Sequence, residues 1–228
     1  MRLLFTFFTL PPWGYLLLAA AVFGLGVVDT RTTANTEAEK VAAREAGIPP
    51  VISLDDFDPN NLAPYDEVHI AAQINTDYNY ELREGSATSS PYYMWVLVGP
   101  KANGQESVVQ AAIVVPKRQK DDVVAWLNDQ ISDVGPLGAV MHLNGKHRTW
   151  TSHDDVAEDA LTEEEGLRLA PDFFYLDPWF DGREAALAPR RADAATAAPL
   201  LNQIALVLAA IAAAKFVWRR RRRTNAAA

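Results

Sequence analysis

The chain has 228 residues, no cysteine and a net charge of −8. The lack of cysteine excludes disulfide bonds and thiol chemistry, and the acidic balance argues against nucleic-acid binding because phosphates would be repelled. All 29 acidic residues lie between Asp29 and Asp193, whereas seven of the 21 basic residues lie outside that stretch. The middle of the chain therefore has a net charge of −15, and its two ends together have a charge of +7.

Residues 1–28 form an apolar N-terminal segment that predicts a membrane span. Trp13 suits an interfacial anchor and Leu16 to Val28 suit the hydrocarbon, with part of Leu3 to Leu10 completing the length. Pro11 and Pro12 either kink this helix or mark its start. A cleaved signal peptide is the alternative, although no small-x-small cleavage pattern follows Val28.

Residues 199–218 form a second apolar segment, and a basic tail of residues 219–228 follows it. The tail contains five consecutive arginines, Arg219, Arg220, Arg221, Arg222 and Arg223. Arginine beside a span is held on the cytoplasmic side and attracts anionic lipids. We therefore predict a bacterial inner-membrane protein with two spans, both termini cytoplasmic and a periplasmic central domain. In a eukaryote the membrane would be the mitochondrial inner membrane and the domain would face the intermembrane space.

The spans also contain small and polar residues. Gly24, Gly26 and the alanines of the second span, Ala209, Ala210 and Ala212 to Ala214, predict close packing of helices, either with each other or with a larger membrane complex. Lys215 is near the end of the span, so we expect its amine to snorkel to the interface.

The central domain, residues 29–184, mixes strands and helices without a regular alternation. In its first part we predict a helix from Thr33 to Ala46 that ends at Gly47, a strand from Tyr65 to Ile74 and a loop from Asn75 to Ser90. A hairpin of Tyr92 to Val98 with Ser107 to Val115 and a helix from Lys117 to Asp129 follow. The last predicted elements are a strand from Gly138 to Leu143, a helix from Ser152 to about Leu167, a strand from Phe173 to Leu176 and an Ala/Pro-rich linker of residues 185–198. We predict an α+β domain with a mainly antiparallel sheet or partly closed barrel and a few helices, flanked by one transmembrane helix at each end. No coiled-coil heptads are predicted.

The segment from Asp56 to Glu67 partly matches a calcium-binding loop. Asp56, Asp58 and Asn60 stand at positions 1, 3 and 5, and Glu67 stands at position 12. Asn61 replaces the glycine of the sharp turn, so a polar loop of Asx turns is the favoured interpretation. An ion- or ligand-binding sensor domain is kept as an alternative function.

Three histidines, His142, His147 and His153, lie near Asp154, Asp155 and Glu158 in the sequence. Histidine with carboxylate can bind zinc or perform acid-base catalysis, and this makes a membrane-anchored hydrolase a second alternative. Their spacing places no two of them on one helix face, so we expect surface histidines, with His147 in a turn. No catalytic, cofactor or metal site is predicted. Trp95, Trp126, Trp150 and Trp179 are predicted to be core residues, with an exposed docking element as the alternative for Trp179.

The layout of the chain resembles the Surfeit-locus family of cytochrome oxidase assembly factors. The segment Ile48-Pro49-Pro50-Val51 to Leu54, the strand beginning Tyr65-Asp66-Glu67-Val68, and Pro199 before the second span are similar to the family in position. The family's Trp-Gln signature and second-span histidine are replaced by Gly26-Val27-Val28-Asp29 and by Asn202-Gln203. The resemblance therefore implies the family's architecture and an assembly role, and no heme site.

The leading functional expectation is a non-enzymatic membrane protein with two spans. Its outer domain would bind or organise a membrane protein complex, as an assembly factor or an accessory subunit, with a respiratory complex as one possibility. Tethering at both ends and the lack of catalytic signatures are the reasons. The expected partners are an integral membrane protein complex and anionic lipids at the basic tail, and no nucleic acid.

Overall fold

The computed structural model of the protein describes residues 10–83, 91–104, 108–151, 154–164, 166–189 and 197–225. Contacts between residues divide the chain into two units. The helical unit comprises Met1–Ala38 and Pro189–Ala228, and the barrel unit comprises Glu39–Ala188. Each unit has its own packed core, and each is described by itself.

The described residues contain five α-helices and seven strands. The helices are α1 (Pro12–Ala46), α2 (Lys120–Asp129), α3 (Asp154–Asp159), α4 (Arg183–Ala186) and α5 (Ala197–Asn225). The strands are β1 (Ile52–Ser53), β2 (Glu67–Leu82), β3 (Tyr92–Val98), β4 (Val108–Pro116), β5 (Ile131–Gly135), β6 (Gly138–Arg148) and β7 (Arg168–Pro178). Short 3₁₀ turns cover Leu54–Asp56, Pro59–Asn61, Pro64–Asp66 and Lys117–Gln119, and a π-helical turn, Ala160–Glu164, follows α3.

Five of the described strands close into a barrel in the order β2-β3-β4-β7-β6, because β2 pairs with both β3 and β6. The β4–β7 pair is parallel and the other four pairs are antiparallel. The α+β class is confirmed, and most of the pairs are antiparallel as predicted. The barrel is fully closed and includes one parallel pair, whereas the sequence predicted a mainly antiparallel sheet or a partly closed barrel. A parallel pair needs a long crossover, which the chain between β4 and β7 supplies.

Two further strands extend the barrel wall. β1 pairs in parallel with β2. β5 pairs antiparallel with the first half of β6, whereas β7 pairs with its second half. β6 therefore has β2 on one side along most of its length, and β5 and then β7 on the other.

Apolar side chains from all five barrel strands fill the interior of the barrel. They include Ile70 of β2, Leu97 of β3, Ile113 of β4, Leu143 of β6 and Phe174 of β7, all nearly inaccessible to solvent. Val123 and Leu127 of α2 join this cluster. The alternation of inward residues along each strand is what a small filled barrel requires.

A second cluster packs on the outer face of β3, β4 and β7. Met94, Val96 and Val98 of β3 are buried there, together with Ala157 of α3 and Leu161 of the π-helical turn. Both faces of β3 are therefore buried, which explains its continuous apolar sequence, Tyr92 to Val98. The predicted bounds of β3 and its hairpin with β4 are confirmed, apart from Ser107, which lies outside the described residues.

Gln73 is a fully buried polar residue at one end of the barrel. Its Nε2 donates to the carbonyl oxygens of Gly99 at 2.9 Å and Ala102 at 3.3 Å, and its Oε1 accepts from the Leu137 N–H at 3.0 Å. A Cβ at Gly135 would fall 2.3 Å from this Oε1, so the position needs glycine. Gln73 thereby ties the β5–β6 hairpin to the loop after β3.

Several predicted elements of the barrel unit are longer than expected. β2 continues to Leu82 across a bulge between Asn75 and Asn79, although Asn75 to Ser90 were predicted to be a loop. The extension is stabilised because Tyr78, Tyr80 and Leu82 pack in the second cluster. β6 and β7 also extend well beyond the predicted Gly138 to Leu143 and Phe173 to Leu176. Residues 84–90 of the predicted loop lie outside the described residues.

Other predicted elements are different or were missed. The helix predicted from Ser152 to Leu167 consists of α3 and the π-helical turn, and its predicted cap, Ser152, lies outside the described residues. β5 was not predicted, because its side chains are mostly exposed and show no apolar alternation. The helix predicted at Thr33 to Ala46 is the last part of α1, which ends at Ala46 before Gly47 with a φ of 79°.

The helical unit pairs α1 with α5 in an antiparallel arrangement. On α1 the buried and half-buried positions include Pro12, Tyr15, Ala19, Val22, Gly26 and Asp29, and on α5 they include Ala198, Leu201, Ala205, Leu208, Ala212 and Lys215. Both sets alternate steps of three and four residues, the spacing of a heptad seam. Small and polar residues occupy several of these positions.

The outward faces of α1 and α5 are covered by large apolar side chains. Trp13, Leu17, Leu25, Leu206 and Phe216 are all more than half exposed. Both helices are long and apolar enough to cross a membrane. They lie near the two ends of the chain and flank the strand-rich barrel unit, which is consistent with membrane association.

Candidate functional site

The most exposed apolar residues of the barrel unit include two on β5. Val134 is 81 % exposed and Ile131 is 50 % exposed. Among the described strands, β5 bonds to β6 alone and stands last in the strand order, so its other edge is open. We call this open strand with Ile131 and Val134 the β5 edge.

Local bonds hold the β5 edge in a defined conformation. The Ser132 hydroxyl donates to the Val140 carbonyl oxygen at 3.1 Å, and the Asp133 carboxylate accepts from the Val134 N–H at 2.8 Å. Gln73 fixes the turn between β5 and β6 through Leu137. A pre-ordered open strand with exposed apolar residues can add a strand from a partner protein.

Sequence reasoning missed the β5 edge, although one signal for it exists. Gly135-Pro136-Leu137-Gly138 is a turn signal between two short segments that contain apolar residues, and such a pattern indicates a hairpin.

Arg183 joins three segments of the barrel unit. Its guanidinium donates to both carboxylate oxygens of Glu67, at 2.7 Å and 3.0 Å. It also donates to the carbonyl oxygens of Ala43 at 2.6 Å and Gly47 at 2.8 Å, at the C-terminal end of α1. Glu67 is only 2 % exposed, so this pair is buried and charge-assisted. The bonds fasten the end of α1 and α4 to the first residue of β2.

The segment from Asp56 to Glu67 is arranged as Asx turns. The Asp58 carboxylate accepts from the backbone N–H of Asn60 at 2.9 Å and from the side-chain amides of Asn60 and Asn61. These bonds hold the pKa of Asp58 below its ordinary value. Glu67, the last residue of the calcium template, is bonded to Arg183 instead. No group of three or more histidine, aspartate or glutamate side chains in the described residues is placed to hold a metal ion.

The structure places His142 and His147 on opposite faces of β6. The exposed ring of His142 lies 6.1 Å from that of His69, whose Nδ1 is bonded to the Pro49 carbonyl at 3.1 Å. His153 lies outside the described residues. The two described histidines of the predicted group therefore do not form one site.

His147 is buried, which corrects the prediction of a surface histidine in a turn. Its ring stacks on Phe174 at 4.8 Å and on Phe57 at 5.8 Å, inside the strand β6. Burial lowers the pKa of His147 below its ordinary value of 6.5, and the nearby charge of Asp66 opposes that shift.

The carboxylates predicted to lie beside these histidines are on or next to α3. Burial raises the pKa of Glu158 above its ordinary value, and the charges of Asp154, Asp155 and Asp159 raise it further. Burial also raises the pKa of the Tyr175 hydroxyl, which lies beneath α3 near Asp154. The negative charges around α3 thus raise the pKa of Glu158 and that of the Tyr175 hydroxyl.

The four tryptophans predicted to be core residues divide into two groups. Trp95 and Trp179 are buried, and Trp126 is half-buried against Phe180. Trp150 is 67 % exposed, so its prediction is wrong. It stands just after β6, where its ring is on the surface.

Lys215 is hydrogen-bonded inside the helical unit. Its Nζ donates to the Tyr15 hydroxyl at 3.1 Å and to the Leu10 carbonyl oxygen at 3.2 Å. Tyr15 is itself only 1 % exposed. At the other end of the pair, the Asp29 carboxylate accepts from the Ala198 N–H at 3.1 Å, in the first turn of α5. Polar bonds therefore fix the pairing at both ends of its seam.

The predicted packing role of the small residues holds for part of the set. Gly26 lies against α5, where a Cβ would fall 2.9 Å from the Asn202 Oδ1. Gly24 has no atom within 4 Å of such a Cβ. Ala212 is buried and Ala209 is half-buried in the seam, whereas Ala210, Ala213 and Ala214 are exposed.

The five predicted lipid-binding arginines, Arg219 to Arg223, continue α5, which extends to Asn225. The side chain of Arg219 is exposed at the end of the apolar part of this helix. No model of a known protein family matches the sequence, and no curated protein matches it either.

Proposed function

We propose that this protein is a non-enzymatic membrane protein with two spans whose barrel unit binds a partner within a membrane protein complex. It acts there as an assembly factor or an accessory subunit. The β5 edge is the observation that carries the proposal, because it exposes Val134 and Ile131 on an open strand. Partner strands add to such edges through backbone hydrogen bonds.

Two further observations support a binding role. Side chains fill the barrel interior, so the features left for recognition lie on the surface of the barrel unit. His142 and His147 lie on opposite faces of β6, and this separation weakens the hydrolase alternative. The layout shared with the Surfeit-locus family makes a respiratory complex the first partner to test.

The charge pattern supports a specific orientation. The basic run at the end of α5 is retained on the cytoplasmic side, and the N-terminal Arg2 favours the same side. The barrel unit then faces the periplasm of a bacterium or the intermembrane space of a mitochondrion. Its acidic surface meets the outer parts of a neighbouring membrane protein there.

The test is affinity purification of the full-length chain, tagged after Ala228, in a mild detergent, followed by mass spectrometry. We expect a stoichiometric set of membrane-complex subunits. Val134→Lys places a charge on the β5 edge and should reduce their recovery by at least about tenfold, since a buried unpaired charge costs several kcal/mol. Val124→Lys, at an exposed valine of α2, is the matched control and should retain them.

Equal recovery with Val134→Lys and Val124→Lys would reject the β5 edge as the binding surface. A full-length protein that elutes alone in several mild detergents would reject the whole proposal. Because Val134 is so exposed, its substitution leaves the core unchanged, and circular dichroism should confirm an intact fold for both variants.

A further inference from the structure

The helical unit contains an open groove of about 650 Å³ between α1 and α5. Trp13 and Leu16 of α1 line it together with Phe216 and the alanines Ala209, Ala212 and Ala213 of α5. Arg219 lies at one end. Apart from this arginine, the lining residues have apolar side chains.

The length of the groove corresponds to one leaflet of a membrane. Ala209 and Arg219 are ten residues apart on α5, a distance of about 15 Å at 1.5 Å per residue. The hydrocarbon core of a bilayer is about 30 Å thick. The groove therefore extends from the middle of the membrane to one of its surfaces, with the charged residue at the surface.

The charge at the end of the groove selects for an anionic head group. A guanidinium binds phosphate oxygens through two parallel hydrogen bonds. The cationic choline of a zwitterionic lipid repels the guanidinium, whereas an anionic lipid has no such opposing charge. Arg219 lines the groove, whereas Lys215 is hydrogen-bonded to Tyr15 and Leu10. The following arginines, Arg220 to Arg223, add positive charge on the same side of the span.

We propose that this groove binds an anionic glycerophospholipid, with one acyl chain against Ala209 and Ala213 and the phosphate against Arg219. The bound lipid fills the space between the two helices and seals their pairing. The proposal rests on the membrane location that is part of the proposed function. It concerns a specific site, beyond the general attraction of the basic run for anionic lipid.

The test measures the lipid that the full-length protein retains from nanodiscs made of equal parts phosphatidylglycerol and phosphatidylcholine. The protein is extracted in a mild detergent and analysed by native mass spectrometry. We expect about one phosphatidylglycerol per chain and little phosphatidylcholine. Arg219→Gln should reduce the retained phosphatidylglycerol by at least about tenfold, because it removes the charge that the phosphate would bind.

Two controls separate the groove from general effects. Ala213→Trp fills the groove and should displace the lipid, whereas Ala214→Trp adds the same side chain at an exposed position that does not line it. Arg221→Gln removes the same charge from the basic run and should retain the lipid, because positions two residues apart on a helix do not share a face. Should Ala213→Trp fail to fold, the comparison of Arg219→Gln with Arg221→Gln still decides the outcome.

Retention of both lipids in equal amounts, or the same loss in Ala213→Trp and Ala214→Trp, would overturn the lipid site. A loss of co-purified subunits in Ala213→Trp with unchanged lipid would also overturn it, because the groove would then hold a helix of a partner. Carbonate extraction of the membranes distinguishes the two proposals. A protein released by carbonate contradicts the membrane location itself, whereas an integral protein without bound phosphatidylglycerol contradicts the lipid site alone.

Discussion

His147 shows how the surroundings of one side chain change its chemistry. Phe57 and Phe174 enclose its ring, and this burial lowers its pKa below 6.5. The folded protein therefore favours the neutral imidazole. The sequence placed this histidine on the surface because its neighbours Lys146 and Arg148 are charged and gave no sign of a strand.

The protonation of His147 predicts how stability depends on pH. Above pH 6.5 the imidazole is neutral in both states, and its full contribution to stability is present. As the pH falls below 6.5, the unfolded chain binds a proton that the folded chain does not, so the free energy of unfolding should decrease by up to about 1.4 kcal/mol per pH unit. Denaturant titrations of the full-length protein in detergent, monitored by near-ultraviolet circular dichroism, measure this.

His147→Phe is the matched variant, because a phenyl ring suits the space between two aromatic rings and has no proton to bind. Its stability should change much less between pH 6.5 and the lower pKa of the folded histidine. Glu81 is hydrogen-bonded to Lys117 and Arg83, and these bonds lower its pKa below 4.5, so its contribution is lost only at more acidic pH. If the free energy of unfolding of His147→Phe depends on pH as that of the unchanged protein does, His147 is not the group responsible.

Arg183→Met should be strongly destabilising. It leaves the buried Glu67 carboxylate without its cation and frees the carbonyl oxygens of Ala43 and Gly47. Breaking one side of a buried pair costs about 3–5 kcal/mol, and we expect a decrease in the free energy of unfolding of that size. Chemical denaturation of the full-length protein measures it.

Arg148→Met is the control, since Arg148 pairs with Asp177 on the surface, where both side chains are about half exposed. That change should cost less than about 1 kcal/mol. The double variant Glu67→Gln with Arg183→Met removes the stranded charge and should recover part of the loss. Equal effects of Arg183→Met and Arg148→Met would show that the buried pair has no special role.

The pairing of α1 with α5 depends on small residues at particular positions of the seam. Gly26→Leu places a side chain where Asn202 and Leu201 already lie, at 2.9 Å and 3.5 Å from the new Cβ. Overpacking of this kind costs about 1–3 kcal/mol, so the paired state should decrease about fivefold or more. The chain has no cysteine, so disulfide formation between Ala19→Cys and Leu208→Cys measures the pairing directly.

Gly24→Leu is the control for this experiment, because nothing lies within 4 Å of its Cβ position. It should leave the disulfide yield unchanged. A similar decrease in both variants would mean that helix insertion, and not contact between the helices, had been disturbed.

The elements differ in how well the sequence predicts them. β3 is predicted with its observed bounds because it is buried on both faces, and the resulting apolar run stands out from its surroundings. β5 escapes prediction because four of its five residues are exposed. β2 was predicted to end at Ile74, since the bulge at Asn75 to Asn79 interrupts the alternation on which such predictions depend.

At the scale of the whole molecule, the ends of the chain are basic and the middle is acidic. This distribution predicts a membrane topology that can be tested. We expect that the basic end of α5 and the barrel unit lie on opposite sides of the membrane. Because the chain has no cysteine, single cysteines can be placed at Val134 and Thr224 and labelled with a membrane-impermeant maleimide. The cells used have a permeable outer membrane and an intact inner membrane. Val134→Cys should react at once, and Thr224→Cys only after the membrane is opened.

If Thr224→Cys is labelled in intact cells and Val134→Cys is not, the topology is the opposite of the predicted one. Reaction of both without permeabilisation would contradict a membrane-spanning α5. Val134 is largely exposed, so its substitution does not disturb the barrel core.

The sequence by itself determines the two apolar helices, the charge difference between the ends and the middle, and the α+β class. These depend on composition and on periodicities that can be read within about 20 residues. The tertiary structure decides the closure of the barrel, the burial of His147, and the contact of Glu67 with Arg183 across 116 residues. It also decides which glycine of α1 meets α5. All of these depend on the register between distant segments, and local sequence does not specify that register because many alternative pairings satisfy the same local pattern.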